Sequence, residues 1–393
     1  MRGSKGPRRG AALGEIGMIP DGAVLVRDGL IQEVGPTRRL ENLIAARSAI
    51  EIDATGKVVM PGLVDCHTHL MFPLQQAGEP GAAIDIERAA RAVVAMTAQR
   101  LARRGRLILQ TMARHGTTTV EAKTGCGPNE SAELKVLRVL GVLHKDPQDI
   151  VPTFLFRLGS GTDDRERAAA AELIFRELMP KIRRRKMARF ADLEWDTDPA
   201  RRPLEVRFLE TARSLGMARK IHADQHSCGG AVSLAAEYSA DSVDHLEYAT
   251  LEQARMLAVS STMATLLPCA SFRSGHHAPA RTLIDNGVAV ALGSNFNPVQ
   301  TPMLNMQTAV SLACLQMGMS PAEALSAATI NAAYALRAAD RVGSLECDKA
   351  ADIVILRTSD YRDMAYQLGT NLVDTVLKRG VAISGGAKPG DDE

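Results

Sequence analysis

The chain has 393 residues, of which 46% are hydrophobic, and its formal net charge at pH 7 is only +2. This length allows a large buried core, and the weak net charge argues against nucleic acid or an acidic membrane as a partner. Six cysteines are scattered without a CxxC pair, which favours reduced thiols in a cytoplasmic protein. We see no convincing signal peptide and no apolar run of about 18 residues, so we expect no membrane span.

Both ends of the chain contain short segments whose sequence pattern predicts β-strands. We expect a poorly ordered start over residues 1–20, which are rich in glycine and arginine. The segment GAVLVRDGLIQEVG (22–35) predicts two strands around an Asp-Gly turn, and similar short segments return after residue 340. The simplest packing joins residues 21–61 and 341–386 as one composite β-sandwich.

The middle of the chain, residues 62–340, alternates short apolar strands with helices. We count eight strand candidates, at 62–66, 117–122, 151–156, 188–194, 218–223, 241–246, 263–268 and 288–294. The clearest helix follows the last strand, where Ser320 is a good N-cap, Pro321 suits the first turn and Glu323 completes a capping box. This alternation predicts an α/β fold, a TIM (β/α)8 barrel. A doubly wound open sheet is the alternative, but no GxGxxG motif opens a helix after the first strand.

Histidines stand where the first and fifth predicted strands end. His67 and His69 are two residues apart, so on a strand both side chains point to the same face. His222 follows from the fifth strand, and catalytic residues of such barrels lie at the carboxyl ends of the strands. Three imidazoles plus a water form an open, catalytic-type site for one divalent metal, zinc or iron, which would make the water nucleophilic. An isolated HxH can also be two half-exposed loop histidines.

Further polar residues lie at other strand ends. His245 ends the sixth strand, as a fourth metal ligand, a general acid or base, or a core histidine bonded to Asp244 or Glu247. The second strand ends in Glu121, Lys123 and Cys126, Gln225 follows His222, and Asn295 ends the eighth strand. Convergence of these residues would create one polar site at the barrel mouth.

These motifs resemble those of the imidazolonepropionase-like members of the amidohydrolase superfamily. The motifs on which the resemblance rests are PGLVDCHTHL, TTVEAKTGCG, KIHADQHSCGG, SVDHLEY and ALGSNFNP. The resemblance covers about residues 22–380. It implies a barrel with a small β-sandwich, one divalent metal and hydrolysis of a C–N bond in a cyclic amide. By position it assigns His67, His69 and His222 to the metal, and His245 and Gln225 to catalysis beside the substrate. We further predict Asn295 as a metal ligand, and Lys123, Cys126 and Arg273 as substrate-binding residues.

The sequence also departs from the family pattern. Asn295 stands where the family has an aspartate that binds metal and accepts a proton; an amide can offer its oxygen but cannot take the proton. We therefore consider His245, Glu121 and Asp224 as replacement acceptors. Cys126 replaces a tyrosine, the arginine after the HxH motif has no match, and Arg157 or Arg273 is a candidate carboxylate clamp.

Several functions remain open at this point. The leading one is a metal-dependent hydrolase of a cyclic amide. The alternatives are hydrolysis of another amide, such as an N-acyl amino acid or a dipeptide, and a binding protein without turnover, which Asn295 favours. A deaminase fits less well, because Ala223, Asp224 and Gln225 follow His222 where deaminases carry a glutamate. We expect a small-molecule substrate, no nucleic-acid or membrane partner, and a homodimer as one oligomeric alternative.

Overall fold

The structure is a computed structural model, and it describes residues 6–72, 86–126, 129–157, 163–195 and 198–385. The strands within these ranges are β1 (Gly22–Arg27), β2 (Leu30–Pro36), β3 (Val58–Pro61), β4 (Leu63–Asp65), β5 (Thr117–Lys123), β6 (Asp149–Phe156), β7 (Phe190–Glu194), β8 (Ala218–Ala223), β9 (Ser242–His245), β10 (Met263–Leu266), β11 (Val290–Leu292), β12 (Ile353–Leu356), β13 (Val373–Lys378) and β14 (Val381–Ser384).

The central sheet is the predicted barrel. Eight parallel strands, β4 to β11, lie side by side in sequence order, and each overlaps one of the eight strand candidates. A parallel bridge between Thr68 and Phe296 joins the segments that follow the first and the last of them. The barrel strands are buried almost throughout, because helices cover the outside of the sheet. The prediction of a (β/α)8 barrel is therefore confirmed, and the carboxyl ends of its strands meet at one mouth.

The helices around and beside the barrel vary in length. They are α1 (Thr37–Leu40), α2 (Ile86–Ala95), α3 (Ala98–Arg114), α4 (Glu130–Leu143), α5 (Asp164–Leu173), α6 (Met179–Arg184), α7 (Arg202–Ser214), α8 (Ala231–Glu237), α9 (Leu251–Ala258), α10 (Pro268–Ser274), α11 (Ala280–Asp285), α12 (Met306–Met317), α13 (Pro321–Ser326), α14 (Ala332–Ala335) and α15 (Asp363–Tyr366). Among the described residues, no helix is both long and apolar enough to cross a membrane.

Helix α13 begins as its sequence predicts. The Ser320 hydroxyl accepts a hydrogen bond from the Glu323 amide, and the Glu323 carboxylate accepts one from the Ser320 amide. These two bonds satisfy amides that the first turn of a helix leaves without partners. After α13 the chain passes through a π-helical turn, Ala327–Asn331, before α14. The sequence pattern predicts one helix here and gives no sign of the π-turn.

The two ends of the chain pack together into a small β unit. Strands β1 and β2 form an antiparallel hairpin, and β3 joins β12, β13 and β14 in an antiparallel sheet. The hairpin turns at Asp28 and Gly29, whose φ angles are 53° and 78°, a left-handed pair that suits tight hairpins. Its Ile31 packs with Ile353 and Leu377 in one apolar cluster between the two sheets.

The segment for which the sequence predicts poor order lies partly outside the described residues, which begin at residue 6. Residues 6–19, hereafter the N-terminal arm, lie against the barrel, and Leu13 is fully buried. Arg9 donates to the carbonyls of Ala258 and Ser260, just before β10. The backbone amide of Arg8 donates to Asn331 Oδ1, and Asn331 Nδ2 donates to the Arg8 carbonyl. The arm is held by arginine side chains and a single leucine, so it has no periodic apolar pattern for a sequence prediction to detect.

Candidate active site

The barrel mouth brings the two histidines of the HxH motif beside the last strand. The His69 amide donates to the Phe296 carbonyl at 2.7 Å, and Ser294 donates from its amide and hydroxyl to Asp65. A Cβ atom at Gly293 would lie 3.0 Å from the Cβ of His67, so the strands approach closely enough there to favour glycine. These contacts hold the end of β11, and Asn295 after it, next to the end of β4.

Four imidazoles meet at this mouth. The ring centroid of His67 lies 5.3 Å from that of His69, 4.6 Å from that of His222 and 5.5 Å from that of His245. The rings of His69 and His222 are 5.7 Å apart, and those of His222 and His245 are 5.5 Å apart. Ring nitrogens of His67, His222 and His245 all lie within 4.8 Å of one another. Side chains from three separate strands thus surround one small space.

Several polar atoms at this space have no protein partner. Within the described residues, Nε2 of His67, Nδ1 of His69, Nε2 of His222 and Oδ1 of Asn295 are buried without a hydrogen bond. Buried polar atoms are normally paired, so such a cluster needs a ligand to explain it. Neutral nitrogen donors with an amide oxygen suit a borderline divalent ion. The residues present therefore fit a metal ion.

Two aspartates bind the opposite ring nitrogens. Nδ1 of His67 lies 2.7 Å from Asp244 Oδ2, and Nδ1 of His222 lies 3.3 Å from Asp192 Oδ1. Burial, with Lys123 adding to it, holds the pKa of His67 well below its usual value, so this imidazole stays neutral. A neutral imidazole whose Nδ1 donates to a carboxylate leaves the Nε2 lone pair free for a ligand.

Two lysines lie with these aspartates inside the barrel. Lys123 Nζ lies 2.6 Å from Asp192, 3.4 Å from Asp244 and 3.0 Å from Glu121. Lys220 Nζ lies 2.9 Å from Glu121 and 3.2 Å from Asp244. Burial alone would lower the pKa of each lysine, but the carboxylates outweigh it and raise both pKa values. Lys123 and Lys220 thus already form ion pairs with Glu121 and Asp244. The oxygens of these two carboxylates therefore do not form a second metal site.

Three residues considered from the sequence have buried partners of their own. Lys123, predicted to contact substrate, is only 1% exposed, and its ammonium group is surrounded by carboxylates. Glu121, considered as a proton acceptor, is fully buried and accepts from Lys220 and from the Thr153 hydroxyl. Asp224, the other carboxylate considered, accepts from the Gly229 amide and the Gln253 side chain. Both carboxylates are thus engaged in holding the fold.

His245 has a carboxylate partner that differs from those of the other histidines. Its Nδ1 lies 3.4 Å from Glu247 Oε1, and the same oxygen accepts from the Ser271 hydroxyl at 3.0 Å. Of the two partners considered from the sequence, Glu247 is the one that contacts His245, whereas Asp244 contacts His67. The backbone of His245 has a φ of 88°, an unusual value that turns the chain sharply at the end of β9.

The remaining predicted site residues lie around the mouth. Gln225 is half-buried just after β8, and Cys126 is buried with its amide bonded to Glu133. Arg157, considered as a carboxylate clamp, is itself 3.5 Å from Glu194, which ends β7. Arg273 belongs to α10, but its side chain is outside the part that the structure describes.

Sequence reasoning missed Asp192, Lys220 and the role of Asp244. Asp192 lies two residues before Glu194, on the same face of β7, and Lys220 lies two residues before His222, on the same face of β8. A charged residue inside an otherwise apolar barrel strand is the signal that marks them, because such a charge needs a partner. Applied to β5, β7, β8 and β9, this criterion would have predicted a buried charge cluster. It would not have shown which lysine pairs with which carboxylate.

Fold and site together define a (β/α)8 hydrolase with histidines clustered at the strand ends. The model of the Amidohydrolase family matches residues 58–128 and 203–383. The chain belongs to this family of metal-dependent hydrolases, which act on carbon–nitrogen bonds.

Known relatives extend the comparison over nearly the whole chain. An imidazolonepropionase of Symbiobacterium thermophilum is 39% identical over 95% of this chain and 93% of its own length. An imidazolonepropionase of Geobacillus kaustophilus is 39% identical over 94% and 92%. The structure of 5-methylcytosine deaminase from Klebsiella pneumoniae is similar, with a TM-score of 0.72, 18% identity and coverage of 93% of this chain and 94% of that one. At that identity the deaminase supports the fold alone.

Proposed function

We propose that this enzyme hydrolyses the ring C–N bond of an imidazolone, a cyclic amide, with a water molecule as nucleophile. The observation that carries the proposal is the cluster of buried histidine nitrogens and the Asn295 oxygen without hydrogen-bond partners. The similarity to imidazolonepropionases over most of the chain supports the choice of a cyclic amide. In this reaction water adds to the carbonyl carbon, the C–N bond breaks, and the water's proton ends on the ring nitrogen.

We propose that His67, His69 and His222 hold one zinc or iron ion, with Asn295 offering its amide oxygen. Such an ion would polarise the carbonyl and lower the pKa of water. The low pKa values of His67 and His69, caused first by burial, support neutral ligands. The ring distance of 5.3 Å between these two histidines is compatible with donors to a common centre.

We propose His245 as the group that moves the proton, in place of the aspartate that Asn295 replaces. With Nδ1 turned to Glu247, the other ring nitrogen, Nε2, would be the acceptor, and the ring of His245 lies 5.5 Å from that of His67. His245 would take a proton from the attacking water and return it to the leaving nitrogen, as a general base and then acid. The Ser271 hydroxyl holds Glu247 in place for this purpose. Gln225, at the end of β8, is proposed to orient the substrate.

The test is hydrolysis of imidazolone propionate by the purified full chain after metal analysis. We expect about one equivalent of zinc or iron per chain, and incorporation of one ¹⁸O atom into the opened product in H₂¹⁸O. His67→Ala should remove both metal and activity while His115→Ala, on the capping turn after α3, should retain them. A metal-free wild-type protein, or a metal-loaded one inert on imidazolones and on N-acyl amino acids, would contradict the proposal.

The cellular setting is also proposed. Six free cysteines suit a reducing cytoplasm, and histidine breakdown is the process consistent with the relatives' name. We propose a homodimer, which sedimentation of the purified chain would test. A monomer at all concentrations measured would reject it.

A further inference from the structure

One buried lysine contacts both aspartates that bind the histidines. Lys123 Nζ lies 2.6 Å from Asp192 and 3.4 Å from Asp244, and these two carboxylates lie against Nδ1 of His222 and of His67. All of these side chains are less than a tenth exposed. Water cannot substitute freely for a lost partner at such depth, so the geometry of each aspartate depends on its protein donors.

The aspartates determine which ring nitrogen carries the proton. An ionised carboxylate only accepts hydrogen bonds, so the Nδ1 atoms facing Asp244 and Asp192 must be the donors. The neutral rings then present Nε2 lone pairs, and these are the two Nε2 atoms of His67 and His222 that are buried without partners. The orientation of both rings toward the open space therefore depends on where the two carboxylates are held.

Lys123 is suited to hold both of them. It comes from β5, whereas Asp192 and Asp244 come from β7 and β9, so its single ammonium group links three barrel strands. Lys220 contacts Asp244 and Glu121, and the Ser242 hydroxyl donates to the other oxygen of Asp244. Asp244 thus has several donors, while Lys123 makes the shortest contact to Asp192.

We propose that Lys123 is a positioning residue that fixes the Nδ1–H form of His222 and His67 through the two aspartates, and so determines the affinity for the metal. The inference rests on the proposed metal site. Loss of the carboxylate partner of a metal-binding histidine typically weakens metal binding about 10- to 100-fold. His222 should respond more than His67, because Asp244 keeps Lys220 and Ser242 when Lys123 is removed.

The test compares Lys123→Met with Lys378→Met in the full chain. Lys378 is the matched control, because it is 3% exposed and paired with Asp149 and Asp352 but lies on β13, away from the histidines. The first readout is Zn²⁺ affinity from competition with a chelator. The second is the tautomer of each ring from long-range ¹⁵N–¹H spectra of histidine-labelled, metal-free protein, which carries only nine histidines.

We expect Lys123→Met to bind Zn²⁺ about 10- to 100-fold more weakly and to mix the tautomers of His222, while Lys378→Met keeps wild-type affinity and tautomers. Should Lys123→Met not fold, the double variant Lys123→Met, Glu121→Gln removes one charge of each sign and receives the same measurements. Unchanged His222 tautomers and unchanged Zn²⁺ affinity in either folded variant would overturn the inference. A wild type with fixed tautomers that binds no Zn²⁺ would instead reject the proposed function and the effect on affinity.

Discussion

Replacing Asn295 with aspartate should restore a base and a negative ligand at the mouth. The side chain is 2% exposed, its Oδ1 has no partner among the described residues, and its φ is 52°. Aspartate is nearly isosteric with asparagine and tolerates this left-handed backbone. The change therefore adds a charge without altering volume, and its effects should come from electrostatics alone.

The size of the effect depends on whether metal is bound. The carboxylates of Glu121, Asp192 and Asp244 already exceed the ammonium groups of Lys123 and Lys220 by one charge. In metal-free Asn295→Asp, an uncompensated buried carboxylate should lower stability by on the order of 3 kcal/mol. With metal bound, the added carboxylate gains a partner and offers a second base beside His245, so kcat/KM should rise, but by less than the about 100- to 10,000-fold that a general base contributes where none is present.

The assay is thermal unfolding with and without Zn²⁺, together with kcat/KM on imidazolone propionate. Asn297→Asp is the matched control, because Asn297 is also 2% exposed on the same loop but its Oδ1 already accepts from the Val299 amide. We expect a larger Zn²⁺-dependent rise in Tm for Asn295→Asp than for wild type. If both variants respond alike to Zn²⁺ and neither gains activity, Asn295 does not face the metal or the reacting water.

Three other changes test the surroundings of the site. Burial raises the pKa of Glu133 from 4.5 to about 7, so the folded state holds this proton more tightly; the resulting stability is present below pH 4.5 and is lost as pH rises through 7. Urea unfolding should show a loss of up to about 3 kcal/mol across that window, and Glu133→Gln should not show it; equal slopes would reject the assignment. Arg8→Ala should lower stability by about 1–3 kcal/mol without changing Zn²⁺ affinity, because it removes the bonds from the guanidinium group to the Glu15 carbonyl and the Ser326 hydroxyl; unchanged urea midpoints would mean that these bonds do not hold the N-terminal arm. Gly293→Ala should cost about 1–3 kcal/mol and weaken Zn²⁺ binding by displacing His67, whereas wild-type values for both would show that the strands can move apart.

The barrel was predictable because its signals are local. Each strand is a short apolar run, and helix α13 carries its start signal in Ser320, Pro321 and Glu323. The HxH spacing indicates a shared face without any knowledge of the partner strands. Local patterns of this kind survive folding because burial of an apolar strand and capping of a helix depend on neighbours in the chain.

The charge cluster was not predictable, because its pairs join residues far apart in the sequence. Lys123 and Asp192 are separated by 69 residues, and Lys220 and Glu121 by 99. Several lysines and carboxylates compete for each other in the sequence, and only the barrel register selects the pairs. The substrate contact predicted for Lys123 stays a prediction, and the sequence alone does not indicate that its ammonium group lies among Glu121, Asp192 and Asp244.

Asn295 and the buried lysines together constrain how the enzyme handles charge. The carboxylates of Glu121, Asp192 and Asp244 exceed the ammonium groups of Lys123 and Lys220 by one charge, and Asn295 adds no charge beside them. A divalent ion held by the histidines would favour the negative charge that develops on a carbonyl oxygen under attack. It also opposes a proton arriving nearby, so the acceptor must have its own negative partner. Glu247 would supply that partner to His245, the proposed acceptor, whereas the Nδ1 atoms of His67 and His222 face aspartates that are paired with lysine. Three of the four imidazoles thus differ in their carboxylate partners, and the ring of His245 is the one whose carboxylate is not paired with Lys123 or Lys220.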